Sequence, residues 1–234
     1  MQNNTYIDRR EKLQLYFDKS ASKAWEQLTS DAPVSRIRQT VRHGRNAMRD
    51  TLLAWMPEDL SGMRILDAGC GTGAFAIEAA LRGASVTAID ISPSLVEVAR
   101  SRTPEILQTK IEFIAGDMLS ADADAFDFVV AMDSLIHYQA NDMLTGIEAL
   151  LSRAKSSQAS VLFTFAPRTP LLMLMKQVGT VFPRADRSPA IEPIAEKKLV
   201  RLIEQCPGCK NAQVARTHLV STTFYKSQAM ELTV

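Results

Sequence analysis

The stretch Arg64-Ile-Leu-Asp-Ala-Gly-Cys-Gly-Thr-Gly73 decides how this chain is read. Ile65 and Leu66 open a short apolar strand, Asp67 closes it, and Gly69, Gly71 and Gly73 alternate through the turn that follows. Glycine tolerates positive φ and carries no Cβ, so such a turn brings bare backbone against a ligand. An apolar helix over 75–82 comes next, and its N-terminal N–H groups converge on the same point. The following apolar run, Ala84-Ser-Val-Thr-Ala-Ile-Asp90, ends in a second acid. A carboxylate at the C-terminal end of the neighbouring strand is placed to accept hydrogen bonds from a ribose diol. Together these residues predict a βαβ unit that cradles a nucleoside.

Gly69, Gly71 and Ala74 also satisfy the loose dinucleotide pattern, a weak signal by itself. Two features favour S-adenosylmethionine over NAD. Asp67 precedes the first glycine, where its charge suits a cationic amino-acid moiety and would repel a pyrophosphate. The chain also ends in two strand-like runs, 212–220 and 222–230, which predict an antiparallel hairpin closing the sheet. The turn resembles motif I of the class I methyltransferases, Asp-x-Gly-x-Gly-x-Gly. That resemblance implies a Rossmann-like α/β fold with a mostly parallel, seven-stranded sheet, and S-adenosylmethionine as methyl donor.

The 234 residues suffice for one α/β domain with an appendage. Hydrophobic content of 46% and charged content of 23% are those of an ordinary globular protein. A net charge of +1 gives no global attraction to nucleic acid or membrane, and no aromatic platform for nucleic acid is evident. No apolar run reaches the roughly 18 residues of a membrane span, and Met1-Gln-Asn-Asn-Thr lacks a signal-peptide core, so a cytoplasmic protein is expected. Cys206-Pro-Gly-Cys209 invites a zinc or redox reading. Only three cysteines and three histidines are present, however, so a four-ligand site is not expected, and the pair ends a helix rather than starting one. A plain turn is the reading adopted.

Strand and helix alternate along the rest of the core. Ser92-Pro93 supplies an N-cap and a first helical residue for a segment to Arg102. Strands are expected at 111–115, 126–132 and 160–166, with a loop over 133–141 and a helix to about Lys155 between the last two. Residues 1–60 read as a helical N-terminal cap, residues 61–234 as the cofactor-binding core, and 167–193 as an inserted lid rich in Met and Leu. Within the cap, Pro33 opens a helix to about Trp55, whose Ile37, Val41, Met48 and Leu52 share an inward face.

Several side chains are placed to carry chemistry. Asp117 ends the third strand, where it can accept from the adenine amine while Met118 packs on the ring. Ile91, beside Asp90, and Met132 are further expected cofactor contacts. The loop Met132-Asp-Ser-Leu-Ile-His-Tyr138 lies where methyl acceptors meet the sulfonium, which makes His137 the leading candidate to orient an acceptor or take a proton. Arg38, Arg42, Arg45 and Arg49 recur at four, three and four residues on one helix face. Guanidinium forks suit carboxylates, so this row is expected to clamp one, from cofactor or substrate. His43 and His218 read as surface or packing residues.

The chain resembles the magnesium protoporphyrin IX methyltransferase family along nearly its full length. The resemblance rests on Leu15-Tyr-Phe-Asp18, Arg38-Gln-Thr-Val-Arg-His-Gly-Arg45, the glycine turn, Met132-Asp-Ser-Leu-Ile-His-Tyr138 and Phe182-Pro-Arg-Ala-Asp-Arg-Ser-Pro189. It implies methyl esterification of one propionate of a magnesium porphyrin, with the magnesium carried by the substrate and none held by the protein. It also implies His137 and Tyr16 as the catalytic pair, Arg38, Arg42 and Arg45 as substrate contacts, and segment 170–182 as a lid or membrane contact, with a hydrophobic core helix as the alternative for that segment. Magnesium chelatase and the membrane are the partners it suggests. The alternatives are a quinone-precursor methyltransferase of the same fold and a non-catalytic binding module.

Overall fold

Among the described residues, seven strands, β1 (Arg64–Ala68), β2 (Ser85–Asp90), β3 (Ile111–Ala115), β4 (Phe128–Ala131), β5 (Ser160–Phe165), β6 (Gln213–Ser221) and β7 (Lys226–Thr233), pair into one sheet. Their spatial order in this computed structural model is β3-β2-β1-β4-β5-β7-β6. The structure describes residues 4–21, 26–30, 33–119, 125–155, 158–169 and 190–234. β1 to β5 run parallel, and β7 inserts antiparallel between β5 and β6. Successive strand residues face opposite sides, and both sides are covered. Leu66, Val129 and Val161 enter one apolar cluster; Ile65, Val130 and Leu162 enter the other. Such two-sided burial explains the continuous apolar runs of the parallel strands.

Among the described residues, six α-helices flank the sheet: α1 (Asn4–Leu15), α2 (Arg36–Ala54), α3 (Ala74–Leu81), α4 (Pro93–Arg102), α5 (Ala140–Leu151) and α6 (Glu196–Gln205). Ser92 caps α4 through its hydroxyl and Pro93 occupies the first turn, as its sequence demands. The strand order reverses between β1 and β4, so the crevice at the strands' C-terminal ends opens there.

Several boundaries differ from expectation. α2 begins at Arg36, because the Ser35 side chain accepts from the Arg38 N–H and sets the cap there rather than at Pro33. On its inward face Met48 and Leu52 are fully buried and Val41 is half-buried, but Ile37, in the first turn beyond the core's reach, is exposed. β4 is shorter than 126–132, since Phe126 makes only an isolated bridge to Ala154. The hairpin turn needs four residues, 222–225, closed by the Thr222 N–H donating to the Tyr225 carbonyl. The strands on either side therefore shift along the chain. Residues 170–182, and most of the inserted segment around them, lie outside the described residues.

Candidate functional site

The ends of β1, β2 and β4 open on a chamber of about 350 Å³, beside a smaller cavity of about 70 Å³. Arg45, Gly69 and Met132 line both. Gly69, Gly71 and Gly73 all adopt positive φ, at 89°, 54° and 78°. A Cβ on Gly69 would sit 2.5 Å from Cβ of Ser134, whose hydroxyl donates to the Ala68 carbonyl at 3.0 Å. The first glycine therefore lets the loop after β4 press against the turn. Gly73 lines neither cavity; it starts α3, against Ala99 and Phe113.

Asp90 ends β2 with its carboxylate facing the chamber. The Gly71 and Ser92 N–H groups donate to its two oxygens at 2.8 and 2.9 Å. Each oxygen keeps a second lone pair, the requirement for receiving a vicinal diol. Burial pushes the Asp90 carboxyl up to about 6, with those two N–H groups opposing. Ile91, Asp117, Met118 and Met132 line the same chamber.

Asp67 is 1% exposed and lines the smaller cavity. It accepts the Ala76 N–H, but Oδ2 has no partner among the described residues. Burial, reinforced by the nearby Asp90, pushes its carboxyl up to about 7. Arg42, Arg45 and Arg49 face the same cavity. An unsatisfied buried acid opposite a guanidinium row is complementary to a zwitterionic amino acid. The orphaned oxygen, the diol-ready Asp90 and the positive-φ turn therefore fit S-adenosylmethionine. Arg38, by contrast, is exposed in the first turn of α2 and lines neither cavity.

Helix α1 covers the other end of the chamber. Tyr6, fully buried, stacks on Tyr138 with centroids 4.9 Å apart and donates to Asp117 Oδ1 at 2.7 Å. Arg10 pairs with Asp117 Oδ2 at 3.1 Å. Burial drives the Tyr6 hydroxyl far above its usual pKa, so it acts only as a hydrogen-bonding group. Sequence reading missed Tyr6: no local pattern links residue 6 to residues 117 and 138.

His137 ends a single 3₁₀ turn, Leu135–His137, and lines the chamber with Tyr16. Its Nδ1 lies 3.4 Å from the Ala190 carbonyl, and its own carbonyl accepts from Arg9 Nε at 2.7 Å. Burial, aided by the charges of Arg9 and Arg45, lowers the imidazole to about 4. It is neutral at neutral pH. Tyr16 opens a π-helical turn, Tyr16–Ala21, and meets Phe17 edge-on at 5.2 Å; Phe17 in turn meets the His137 ring at 6.4 Å. Asp18 anchors this turn by accepting from the Ser92 and Ser94 hydroxyls.

A second missed residue is Asp133. Its quoted loop was singled out for His137, yet Asp133 gathers more side chains than any neighbour there. Arg45, Tyr225, Ser227 and Thr164 all bond its carboxylate. Its φ of 55° is a left-handed value that Asp tolerates better than most residues. Elsewhere, His43 and His218 are exposed, and Cys206 and Cys209 are buried, unoxidised thiols in a turn between α6 and β6. Among the described residues, no group of three His, Cys, Asp or Glu side chains is arranged to hold a metal, and no helix is long and apolar enough to cross a membrane.

Comparison with known proteins agrees with this geometry. Residues 131–234 match the family model described as "Magnesium-protoporphyrin IX methyltransferase C-terminus", and residues 65–156 match a general methyltransferase domain. A magnesium-protoporphyrin O-methyltransferase of Rhodobacter capsulatus is 46% identical over 197 residues, covering 84% of this chain and 87% of that one. The crystal structure of magnesium protoporphyrin IX methyltransferase from Synechocystis with bound SAH superposes with a TM-score of 0.83 at 28% identity, covering 97% of this chain and 99% of that one. A ubiquinone biosynthesis O-methyltransferase of Xanthomonas euvesicatoria is 31% identical over 185 residues, 78% of this chain and 73% of that one.

Proposed function

The chain belongs to the magnesium-protoporphyrin O-methyltransferase family, and we propose that it methylates a propionate of magnesium protoporphyrin IX from S-adenosylmethionine, giving the monomethyl ester and S-adenosylhomocysteine. The observation that carries this reading is the junction of the two cavities at Arg45, Gly69 and Met132. One cavity suits the amino-acid end of the donor, and the larger, mostly apolar chamber suits its nucleoside and the acceptor.

S-Adenosylmethionine supplies an electrophilic methyl group on a sulfonium. Asp67 holds the donor's ammonium, Arg42 its carboxylate, Asp90 its ribose, and Asp117 with Met118 its adenine; Gly69, Gly71 and Ile91 complete the cradle. A propionate is ionised at neutral pH, so the chain has no proton to remove before methyl transfer. Its task is to align an anionic oxygen in line with the methyl and to exclude water. The carboxylate's charge vanishes as the ester forms, so a water-poor chamber favours the reaction. Neutral His137 and Tyr16 orient the acceptor, and Arg45 anchors its carboxylate; Arg38 is left to steer the incoming anion.

A quinone phenol is the competing acceptor, raised by the Xanthomonas relative. A phenol must lose its proton first, and an imidazole lowered to about 4 is too weak a base for that. The carboxylate acceptor is therefore favoured. Peripheral seating on a pigment-bearing membrane belongs to the same proposal, supported by exposed Ile191 and Phe224 lining the chamber. The deciding experiment incubates the chain with methyl-labelled donor and either magnesium protoporphyrin IX or a demethylated quinone precursor. Labelled porphyrin monoester is expected; label in the quinone alone overturns the proposal.

A further inference from the structure

The chamber wall where α2 meets the loop after β4 is held by one buried carboxylate that no part of the methyl transfer has yet used. Asp133 sits at the end of β4 with its side chain 4% exposed. Arg45 of α2 pairs with Oδ2 at 2.7 Å. The Tyr225 hydroxyl, from the hairpin turn, lies 3.0 and 3.1 Å from the two oxygens. Ser227 of β7 and Thr164 of β5 donate to Oδ1 at 3.1 and 3.2 Å. One side chain thus ties together helix α2, strand β5 and the C-terminal hairpin.

The backbone around it is shaped for this. Asp133 takes a left-handed φ of 55°, and its N–H is held by Thr164 Oγ1 at 2.7 Å. A Cβ on Gly44 would fall 2.5 Å from Cδ1 of Tyr225, so only glycine there lets the tyrosine ring lie against α2 and reach Asp133. This accounts for the Gly44-Arg45 pair: the glycine seats Tyr225, and the next residue meets the same carboxylate. Left alone, an arginine has four rotatable side-chain torsions and no fixed direction; paired with a buried carboxylate, its planar fork points one way.

We infer that Asp133 is a positioning residue which, with Tyr225, aims the Arg45 guanidinium at the junction of the two cavities and so makes the acceptor site selective for a carboxylate. The inference rests on the methyl-transfer reading above and adds what sets the acceptor's class. Asp133 does not itself receive the acceptor, since its two oxygens are already engaged by four side chains.

The test uses the full-length chain saturated with S-adenosylhomocysteine, titrated with magnesium protoporphyrin IX or with its dimethyl ester, which keeps the macrocycle and lacks both carboxylates. Wild type is expected to prefer the diacid by about tenfold or more, the scale of a hydrogen bond to a charged group. Asp133→Asn keeps the size and one acceptor oxygen but turns the other into an NH2 donor, and so loses the ion pair with Arg45. It should bring the two affinities within about twofold while S-adenosylhomocysteine binding changes by less than about threefold. Equal weakening of both porphyrins, or a preserved preference, overturns the inference. Should that variant fail to fold, Tyr225→Phe decides: its preference is expected to fall about threefold, and an unchanged one overturns the inference. Wild type that forms no ester from magnesium protoporphyrin IX overturns the functional reading; wild type that forms ester while Asp133→Asn keeps its preference overturns only the role of Asp133.

Discussion

The glycine turn and Asp90 are wired locally, whereas the acceptor half and the adenine end at Asp117 are wired across the chain. Asp90 bonds Gly71 and Ser92, 19 and 2 residues away, and Asp117 accepts from Leu119. Asp133 bonds Arg45 and Tyr225 across 88 and 92 residues, and Tyr6 reaches Asp117 across 111. Short loops joining strand to helix can hold a cradle almost by themselves. A wall made of a cap helix and a terminal hairpin exists only once the whole sheet has closed. The two halves should therefore fail in different ways.

The largest effect is expected in the local half. Asp90→Ala removes the diol acceptor and strands two N–H groups, and should weaken S-adenosylhomocysteine binding about 100-fold or more by calorimetry. Survival of tight binding would break the ribose assignment. In the distant half, His137→Ala should lower kcat on the order of 10²-fold through misplacement of the acceptor, with donor affinity retained. Wild-type kcat should be flat from pH 6 to 8, because His137 is neutral above about 4. A sigmoidal loss centred near 7 would restore it as a general base.

A smaller, pH-dependent effect belongs to Asp67. Its carboxyl, raised to about 7, must ionise to meet an ammonium. Donor-product affinity should rise with pH between 5.5 and 7, by at most about tenfold per unit, with proton release seen in buffers of different ionisation enthalpy. Asp67→Asn should leave only the weaker response of Asp90, centred near 6. The ligand-free chain carries the opposite sign. The native state holds protons that the unfolded chain releases, so this contribution is full below about 4 and is lost as pH rises through 7. His137, lowered to about 4, contributes stability that is lost as pH falls from about 6.5 through 4.

The smallest change is expected outside both halves. Replacing Cys206 and Cys209 with serine should leave methyl transfer intact and lower the melting temperature by about 2–4 °C, the shift for a loss of about 1 kcal/mol. Loss of activity on thiol oxidation in wild type alone would overturn the reading of that segment as a plain turn.

Much of the first half was legible. The glycines, Asp90, Ser92-Pro93 and Asp117 announce themselves because turn chemistry and capping act over a few residues. The class of fold followed from the same patterns, down to the antiparallel hairpin. The arginine row was visible as a helical spacing, but which members face a ligand was not. Arg42, Arg45 and Arg49 turn to the smaller cavity, whereas Arg38 stays in the first turn and faces outward. Tyr6 and Tyr225 carried no signal, and Asp133 stood in a marked loop without any sign of its partners, since a Tyr or Asp reads the same on a surface as in a buried node.

By itself, the sequence determined the βαβ unit and the mostly parallel sheet with its closing antiparallel hairpin, all consequences of local backbone preference and short-range periodicity. Tertiary structure alone decided which cation meets which carboxylate. Bonds such as Arg45 to Asp133 depend on the relative placement of elements, and that placement is a product of packing the whole chain.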